Sequence, residues 1–149
     1  MIDTTDQPVQ RATTETDIHK CRRAVQALRP KLTDDLYEEA MLRTLADNRT
    51  MVYIEEQSEA AAVAVFESGY NLFRGKYIYI DDLSTLPEHR GKGYAGQLVD
   101  WILDYAHREG FDEVHLDSGV NDARTDAHRL YLTKRFKVTS LHFSIKVER

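Results

Sequence analysis

A short glycine-rich segment in the middle of the chain has the composition of an anion-binding loop. It reads Arg90-Gly91-Lys92-Gly93-Tyr94-Ala95-Gly96 and lies between a predicted strand and a predicted helix. Glycine lets backbone amides approach an anion without interference from a Cβ atom. The N-terminus of a helix adds unpaired N–H donors and a partial positive charge. The segment therefore predicts a pyrophosphate cradle, with Arg90 and Lys92 adding formal charge; the alternative is a flexible loop without a ligand.

The same residues also match the G-x-G-x-x-G pattern of dinucleotide-binding proteins. Asp117 follows about 20 residues later at a predicted strand end, as that pattern requires. In that class, however, the first glycine follows its strand directly, whereas Ser84 to Arg90 intervene here after Leu83. The chain is also short for two mononucleotide-binding halves. An NAD-dependent enzyme is therefore the weaker interpretation of the loop.

Two motifs, in this order along the chain, resemble the GNAT acetyltransferase family. Residues Arg90 to Ala95 read R-x-x-G-x-A, similar to the family signature R/Q-x-x-G-x-G/A. Ile80 to Gly91 look like the family's fourth strand and loop, and Ala127 to Phe136 resemble its helix motif A-x-x-F-Y-x-x-x-G-F. The resemblance extends from about Val9 to the C-terminus.

The resemblance implies direct transfer of an acetyl group from acetyl-CoA to an amine. The backbone of the residues around Ser84 would pair with the pantetheine arm, and the glycine loop would hold the pyrophosphate. Tyr131 matches the tyrosine that protonates the departing thiolate, and a phenol with a reference pKa near ~10 has that proton at neutral pH. The alternative for Tyr131 is a packing role. The residues assigned to the cofactor are Leu83, Ser84, Thr85, Arg90, Gly91, Lys92, Gly93, Tyr94, Ala95, Gly96, Asn121 and His128.

Two departures from the family pattern lie near the last predicted helix. Arg135 stands where the family usually has a glycine. Glycine there commonly provides a left-handed helix cap, so Arg135 must use another cap or tolerate a strained conformation. Asn121 is the candidate for the family's cofactor-contacting asparagine, although it lies further from Tyr131 than that pattern leads us to expect.

The amine must lose a proton before it attacks, and acids in a strand are the first candidates to accept that proton. Asp81 and Asp82 are adjacent in a predicted strand, so strand alternation places them on opposite faces, with at most one facing the cleft. One of them could act through a water molecule or attract a cation. An ion pair with Arg74 or Lys76 is the alternative. The other candidate bases are Asp117 and His142.

Hydrophobic periodicity predicts the elements that position these residues. The predicted order is β-α-α-β-β-β-α-β-α-β, an α/β (α+β) arrangement with a central mixed twisted sheet of six to seven strands and about four helices. Residues 1–7 are predicted to be a flexible tail, and residues 8–149 one acetyltransferase domain. Val138 to Val147 is predicted to be extended, and Gly69 to Asn71 a loop.

Composition limits the remaining function classes. The net charge of −5 disfavours a nucleic-acid partner, and no stretch has the ~20 apolar residues of a membrane span. The single cysteine, Cys21, excludes an internal disulfide, and no cysteine–histidine spacing predicts a metal site. We therefore expect a cytoplasmic enzyme without metal, acting on a small-molecule amine or a protein amino group, with a homodimer as the commonest oligomer. The alternative is a non-catalytic acyl-CoA-binding or sensor module.

Overall fold

The computed structural model describes residues 8–149. The predicted flexible tail, residues 1–7, lies outside the described residues. The chain divides after Leu116 into two compact units. The first unit contains the sheet and the second contains the helix with the tyrosine motif, so each is described by itself below. The prediction of one acetyltransferase domain over residues 8–149 stays a prediction.

The first unit combines a mixed sheet with helices, which confirms the predicted fold class. Its strands are β1 (Val9–Arg11), β2 (Arg49–Glu56), β3 (Glu59–Asn71), β4 (Gly75–Thr85) and β5 (Glu113–Leu116). Its α-helices are α1 (Glu15–Lys20), α2 (Arg22–Leu28), α3 (Asp34–Ala46) and α4 (Tyr94–Arg108). The strands lie in the order β1-β2-β3-β4-β5, and all neighbours are antiparallel except the parallel pair β4 and β5.

The sheet is covered by helices on both faces, as the sequence of β3 indicates. Residues Ala60 to Phe66 of this central strand are all buried, which is typical of a strand with a core on each side. One face, here called the α1–α3 face, packs Val63 and Val65 against the first three helices. The other, the α4 face, packs Ala64 and Phe66 against α4.

Helix α4 is fixed in the core by an apolar stripe at helical spacing. Leu98, Val99 and Ile102 are fully buried, and Ala106 is 5% exposed. Residues three or four positions apart lie on one side of a helix, so this stripe sets the rotation of α4 against the sheet. The start of the helix, which follows the glycine loop, is therefore held in a defined place.

Two sequence predictions about strands are wrong. The described residues form five strands rather than six to seven, because Val138 to Val147 forms no strand. Its apolar side chains alternate but are exposed; alternation makes a strand only where a partner edge accepts the backbone hydrogen bonds. Gly69 to Asn71 is not a loop but the end of β3. Gly69 faces Tyr77, and a Cβ atom there would lie 2.6 Å from that ring, so close packing rather than a turn requires this glycine.

Candidate functional site

Strand β4 has two halves with different neighbours. Its first half pairs on both sides, and the pairing with β5 runs from Tyr77 opposite Glu113 to Ile80 opposite Leu116. Beyond Ile80 the strand continues to Thr85 and pairs with β3 alone. Within the described residues, the outer edge of Leu83, Ser84 and Thr85 thus has no strand partner. This edge offers backbone donors and acceptors to an extended ligand.

A β-bulge marks the point where the two halves meet. Phe66 of β3 pairs with Ile80, but the preceding Val65 pairs with Asp82, so Asp81 is an extra residue in β4. An extra residue shifts the alternation of side chains by one position. Asp82, opposite a core residue of the α1–α3 face, consequently lies on the same face as Asp81. The prediction that these two carboxylates point to opposite faces is wrong, because it assumed an uninterrupted strand.

Both carboxylates are paired with arginines on that face. Arg49 Nε donates to Asp81 Oδ2 at 2.8 Å, and Arg29 Nε, from the end of α2, donates to Asp82 Oδ1 at 2.7 Å. The side chains of Asp81 and Asp82 are 29% and 23% exposed. The alternative partners suggested by sequence, Arg74 and Lys76, are not the ones observed: Arg74 stacks on tyrosine rings and Lys76 donates to the Glu109 carbonyl.

Side chains on the outer half of β4 alternate between the faces. Ser84 is buried, and its hydroxyl donates to the Ala24 carbonyl of α2 at 2.7 Å. Leu83 packs in the cluster on the α4 face. The hydroxyl of Ser84 is thus occupied by its hydrogen bond to α2. A ligand would therefore contact the backbone of this residue and not its side chain.

The glycine loop begins α4 without a side-chain cap. Gly91 and Gly93 have φ of 80° and 82°, the left-handed region that favours glycine. A Cβ atom at either position would meet nothing within 4 Å, so the space next to both glycines is open. Gly93 is the N-cap, and no side chain bonds to the first turn. The first amides of α4 therefore remain available as donors for an anion. The other loop residues assigned to the cofactor are Arg90 and Lys92, both exposed, Tyr94, which is buried, and Ala95 and Gly96, which are half-buried.

A carboxylate that sequence reasoning missed lies next to this loop. Glu56, the last residue of β2, accepts from Lys92 Nζ at 3.0 Å and from the Tyr94 hydroxyl at 2.7 Å. The hydroxyl of Tyr94 and the ammonium of Lys92 lower the pKa of Glu56. Burial and the bond to Glu56 raise the pKa of Tyr94 to about 12. A charged residue at a strand end normally predicts exposure to solvent, so local sequence gives no signal for this contact.

The remaining candidate residues lie in the second unit, with α5 (Thr125–Thr133). Tyr131 packs edge-on against Phe136, with ring centroids 6.0 Å apart, and burial raises the pKa of its phenol. His128 Nε2 lies 2.7 Å from the Gly119 carbonyl. Asn121 precedes a short 3₁₀ helix, Asp122–Arg124. The assignment of all three to the site stays a prediction.

Two of the candidate bases pair with each other in this second unit. His142 Nδ1 lies 3.1 Å from Asp117 Oδ2, and both side chains are more than half exposed. A histidine that pairs with a carboxylate has one ring nitrogen oriented by that contact. The pair therefore has the parts of a proton acceptor, although nothing in sequence linked the two residues.

Cys21 is a free cysteine in the interior of the first unit. It is fully buried in the core of the α1–α3 face, and burial raises the pKa of its thiol to about 12. The thiolate is the nucleophilic form of cysteine, so this residue stays an unreactive thiol.

None of the described helices combines the length and apolar character that a membrane span needs.

Comparisons with known proteins agree with this geometry. The model of the acetyltransferase (GNAT) family matches residues 16–136. Over 64 residues the chain is 39% identical to an uncharacterized N-acetyltransferase, YhdJ, of Bacillus subtilis, covering 43% of this chain and 44% of that protein. Over 65 residues it is 32% identical to the aminoalkylphosphonate N-acetyltransferase of Salmonella typhimurium, covering 44% and 41%. The matched regions thus span less than half of these relatives.

Solved structures share the fold across nearly the whole chain. A putative acetyltransferase from Agrobacterium tumefaciens superposes with a TM-score of 0.80 at 24% identity, covering 94% of this chain and 99% of that one. The enzyme AAC(6')-Iy, in complex with the bisubstrate analogue CoA-S-monomethyl-acetylneamine, gives a TM-score of 0.81 at 16% identity, covering 97% and 99%. With a family match over most of its length, the chain belongs to the GNAT acetyltransferase family.

Proposed function

We propose that this chain is an acetyl-CoA-dependent N-acetyltransferase that transfers the acetyl group directly to an amine. The observation that carries the proposal is the start of α4, which follows two left-handed glycines and has no side-chain cap. Uncapped amides at a helix N-terminus, next to an exposed arginine, are the donors that a pyrophosphate requires. The unpaired outer edge of β4 supplies a second contact, for an extended amide-bearing arm.

The donor is proposed to lie along these two features. Gly91 to Gly96 would bind its diphosphate through backbone amides, with Arg90 as a charged partner. The backbone of Leu83 to Thr85 would pair with the amides of the pantetheine arm. A backbone N–H of this segment would also polarise the thioester carbonyl as negative charge develops on its oxygen.

The transfer is proposed to proceed in one attack. The neutral amine nitrogen forms a bond to the thioester carbonyl carbon, the carbon–sulfur bond breaks, and the thiolate receives the proton of the Tyr131 phenol. The nitrogen, which is positively charged after the attack, loses one proton as the amide forms, and that proton returns to the Tyr131 phenolate directly or through water. The amine first gives a proton to a base or to a water molecule positioned by Asp81 or Asp82. Holding both reactants in place supplies much of the rate gain in such a step. Because this transfer is direct, no acyl-enzyme forms, and the buried Cys21 is expected to be dispensable.

The acceptor is proposed to be a small-molecule amine or a protein amino group. The carboxylates of Asp81 and Asp82, both partly exposed on the α1–α3 face, would attract its positive charge before deprotonation. The relative that acts on aminoalkylphosphonates and the AAC(6')-Iy complex with an acetylneamine analogue suggest which amines to test first. The cytoplasmic location, the homodimer and the absence of a metal remain predictions.

Calorimetry with coenzyme A and a thiol-release assay with an amine panel test the proposal. We expect saturable binding of coenzyme A and amine-dependent thiol release. Arg90→Ala should weaken coenzyme A about tenfold, since a charge-assisted hydrogen bond is lost. Arg108→Ala, at the other end of the same helix and paired with Asp104, should leave the affinity unchanged. A wild-type chain that gave no heat with coenzyme A would disprove the proposal.

The second candidate is a non-catalytic acyl-CoA-binding module of the same fold. The ion pairs of Asp81 and Asp82 with Arg49 and Arg29 favour it, because a carboxylate oxygen that already accepts from an arginine is less free to contact an amine. Such a module would bind coenzyme A, and thiol release would not depend on any amine of the panel. An acetylated amine identified by mass spectrometry would exclude it.

A further inference from the structure

Glu56 makes three contacts with the residues around the glycine loop. Its carboxylate accepts from Lys92 Nζ at 3.0 and 3.1 Å and from the Tyr94 hydroxyl at 2.7 Å. Its Oε2 also lies 3.2 Å from Nδ1 of His89, which donates to this carboxylate when protonated and accepts from Lys92 Nζ when not. His89 and Tyr94 flank the exposed residues 90–93 of the loop, and Lys92 lies among them. One side chain from β2 therefore contacts the residues on both sides of this exposed part and one residue within it.

Two of these partners are fixed in the protein. His89 is 7% exposed and Tyr94 is 4% exposed, whereas the side chain of Glu56 is 26% exposed. Tyr94 is also the first residue of α4. The carboxylate therefore connects the exposed residues 90–93 of the glycine loop to the buried side chains directly before and after them.

The positive charge of Lys92 is already balanced by the carboxylate of Glu56. Besides Glu56, its ammonium lies 3.0 Å from His89 Nδ1 and 6.0 Å from the centre of the Tyr94 ring. An ammonium in an ion pair gains less from a phosphate, because it must first give up its partner or share it. Among the described contacts, neither Arg90 nor the backbone amides of the glycine loop bond to Glu56.

We propose that Glu56 is a positioning residue for the pyrophosphate-binding loop, and that Lys92 serves as its tether rather than as a phosphate ligand. The inference rests on the proposed function, since it needs a ligand with a diphosphate. Glu56 would hold the loop amides in the arrangement that accepts the diphosphate, and its own negative charge would be cancelled by Lys92. Loss of either partner would loosen the same amides.

The direction in which Glu56→Gln changes the affinity for coenzyme A separates this role from direct phosphate binding by Lys92. Glu56→Gln leaves an acceptor for Tyr94 but removes the ionic contact with Lys92. If Lys92 is the tether, we expect coenzyme A to bind about tenfold more weakly. If Lys92 instead binds phosphate and Glu56 competes for it, Glu56→Gln should strengthen binding, and that result would overturn the inference.

Lys92→Met and the double variant complete the test. When two residues act through one contact, their effects are not additive. We therefore expect Lys92→Met to weaken coenzyme A to a similar extent, and the double variant to be no weaker than either single one. Fully additive losses would contradict the proposal.

Two controls distinguish positioning from general damage to the fold. Glu55, the preceding residue, pairs with Lys20 of α1 at 2.6 Å, so Glu55→Gln removes a similar lysine contact away from the loop and should not change the affinity. Pantetheine, which lacks the diphosphate, should bind wild type and Glu56→Gln equally. Equal weakening of both ligands would indicate a damaged fold and overturn the inference. A wild-type chain that bound no coenzyme A would instead disprove the proposed function.

Discussion

Helices α4 and α5 end in the same hydrogen-bond pattern but with different residues at the critical position. In α4 the Phe111 amide donates to the Ala106 carbonyl at 2.9 Å, and the Gly110 amide to the His107 carbonyl at 3.4 Å. In α5 the corresponding bonds, from the amides of Phe136 and Arg135, are both 3.0 Å. Gly110 and Arg135 have φ of 74° and 71°.

The comparison shows that backbone hydrogen bonding, not the residue, sets the shape of these helix ends. Both form the Schellman pattern, which requires a left-handed residue after the helix. Glycine adopts that conformation without a Cβ penalty, whereas arginine pays it. Of the two outcomes open from sequence for Arg135, another cap or a strained conformation, the structure has the strained conformation.

The two helices also differ in what they bury. Helix α4 contributes five buried residues to the core, and α5 contributes none. Packing of buried side chains dictates the position of α4, whereas the side chains of α5 are at most half-buried, including Tyr131 in its contact with Phe136. Substitutions in α4 should thus act on stability, and the critical substitution in α5 on chemistry.

The largest expected effect is on kcat, and it is tested by replacing one tyrosine on each helix. Tyr131→Phe in α5 should lower kcat about 100-fold, the loss of a general acid, without changing the affinity for coenzyme A. Tyr105→Phe in α4, whose ring stacks on Trp101, should leave kcat unchanged. Stopped-flow thiol release measures the rates, and an unchanged kcat in Tyr131→Phe would refute the acid role.

The pH dependence of kcat in wild type and in Tyr131→Phe gives a further check on the acid role of Tyr131. Burial raises the pKa of Tyr131, so its phenol stays protonated to a higher pH than an ordinary tyrosine. Loss of the acid on the alkaline side of the wild-type profile should thus begin only above the reference value of ~10. In Tyr131→Phe that alkaline decline should be missing.

The next effect concerns the end of α4. Gly110→Ala should lower the free energy of unfolding by about 1 kcal/mol, because alanine is strained in the left-handed region. No atom lies within 4 Å of the added Cβ, so the loss measures conformation alone. Gly119→Ala, where φ is not left-handed and contacts are ordinary, is the matched control for urea denaturation. Equal stabilities of the two variants would break the comparison.

The smallest effect is expected at the end of α5. Arg135→Gly should raise the free energy of unfolding by about 0.5 kcal/mol, since relief of strain is partly offset by the greater entropy of glycine in the unfolded chain. Arg135→Ala removes the side chain but keeps the strain, so it should show no gain. A loss of stability in Arg135→Gly, seen in the same denaturation experiment, would mean that the arginine side chain supports the helix end.

Sequence predicted those parts of the molecule that depend on local pattern. The glycine loop lies between a strand and a helix, and a mixed sheet combines with helices, as composition and the order of the elements predicted. The face of Asp82 was predicted wrongly, because pairing with β3, not the local sequence, introduces the extra residue. Glu56 was missed for a similar reason: its partners are more than thirty positions away. Long-range contacts of charged side chains leave no periodic signal.

The bulge in β4 has a consequence for chain length. Without Asp81, Ile80 and Asp82 would be consecutive, and they would still oppose Phe66 and Val65. Leu83 and Ser84 would keep their present sides of the sheet, so a one-residue deletion could be absorbed there without reversing the rest of the strand. What such a deletion would remove is the bulge itself, which lies next to the point where the pairing of β4 with β5 ends. The bulge is thus encoded by the number of residues in β4, and no exchange of one side chain for another should remove it.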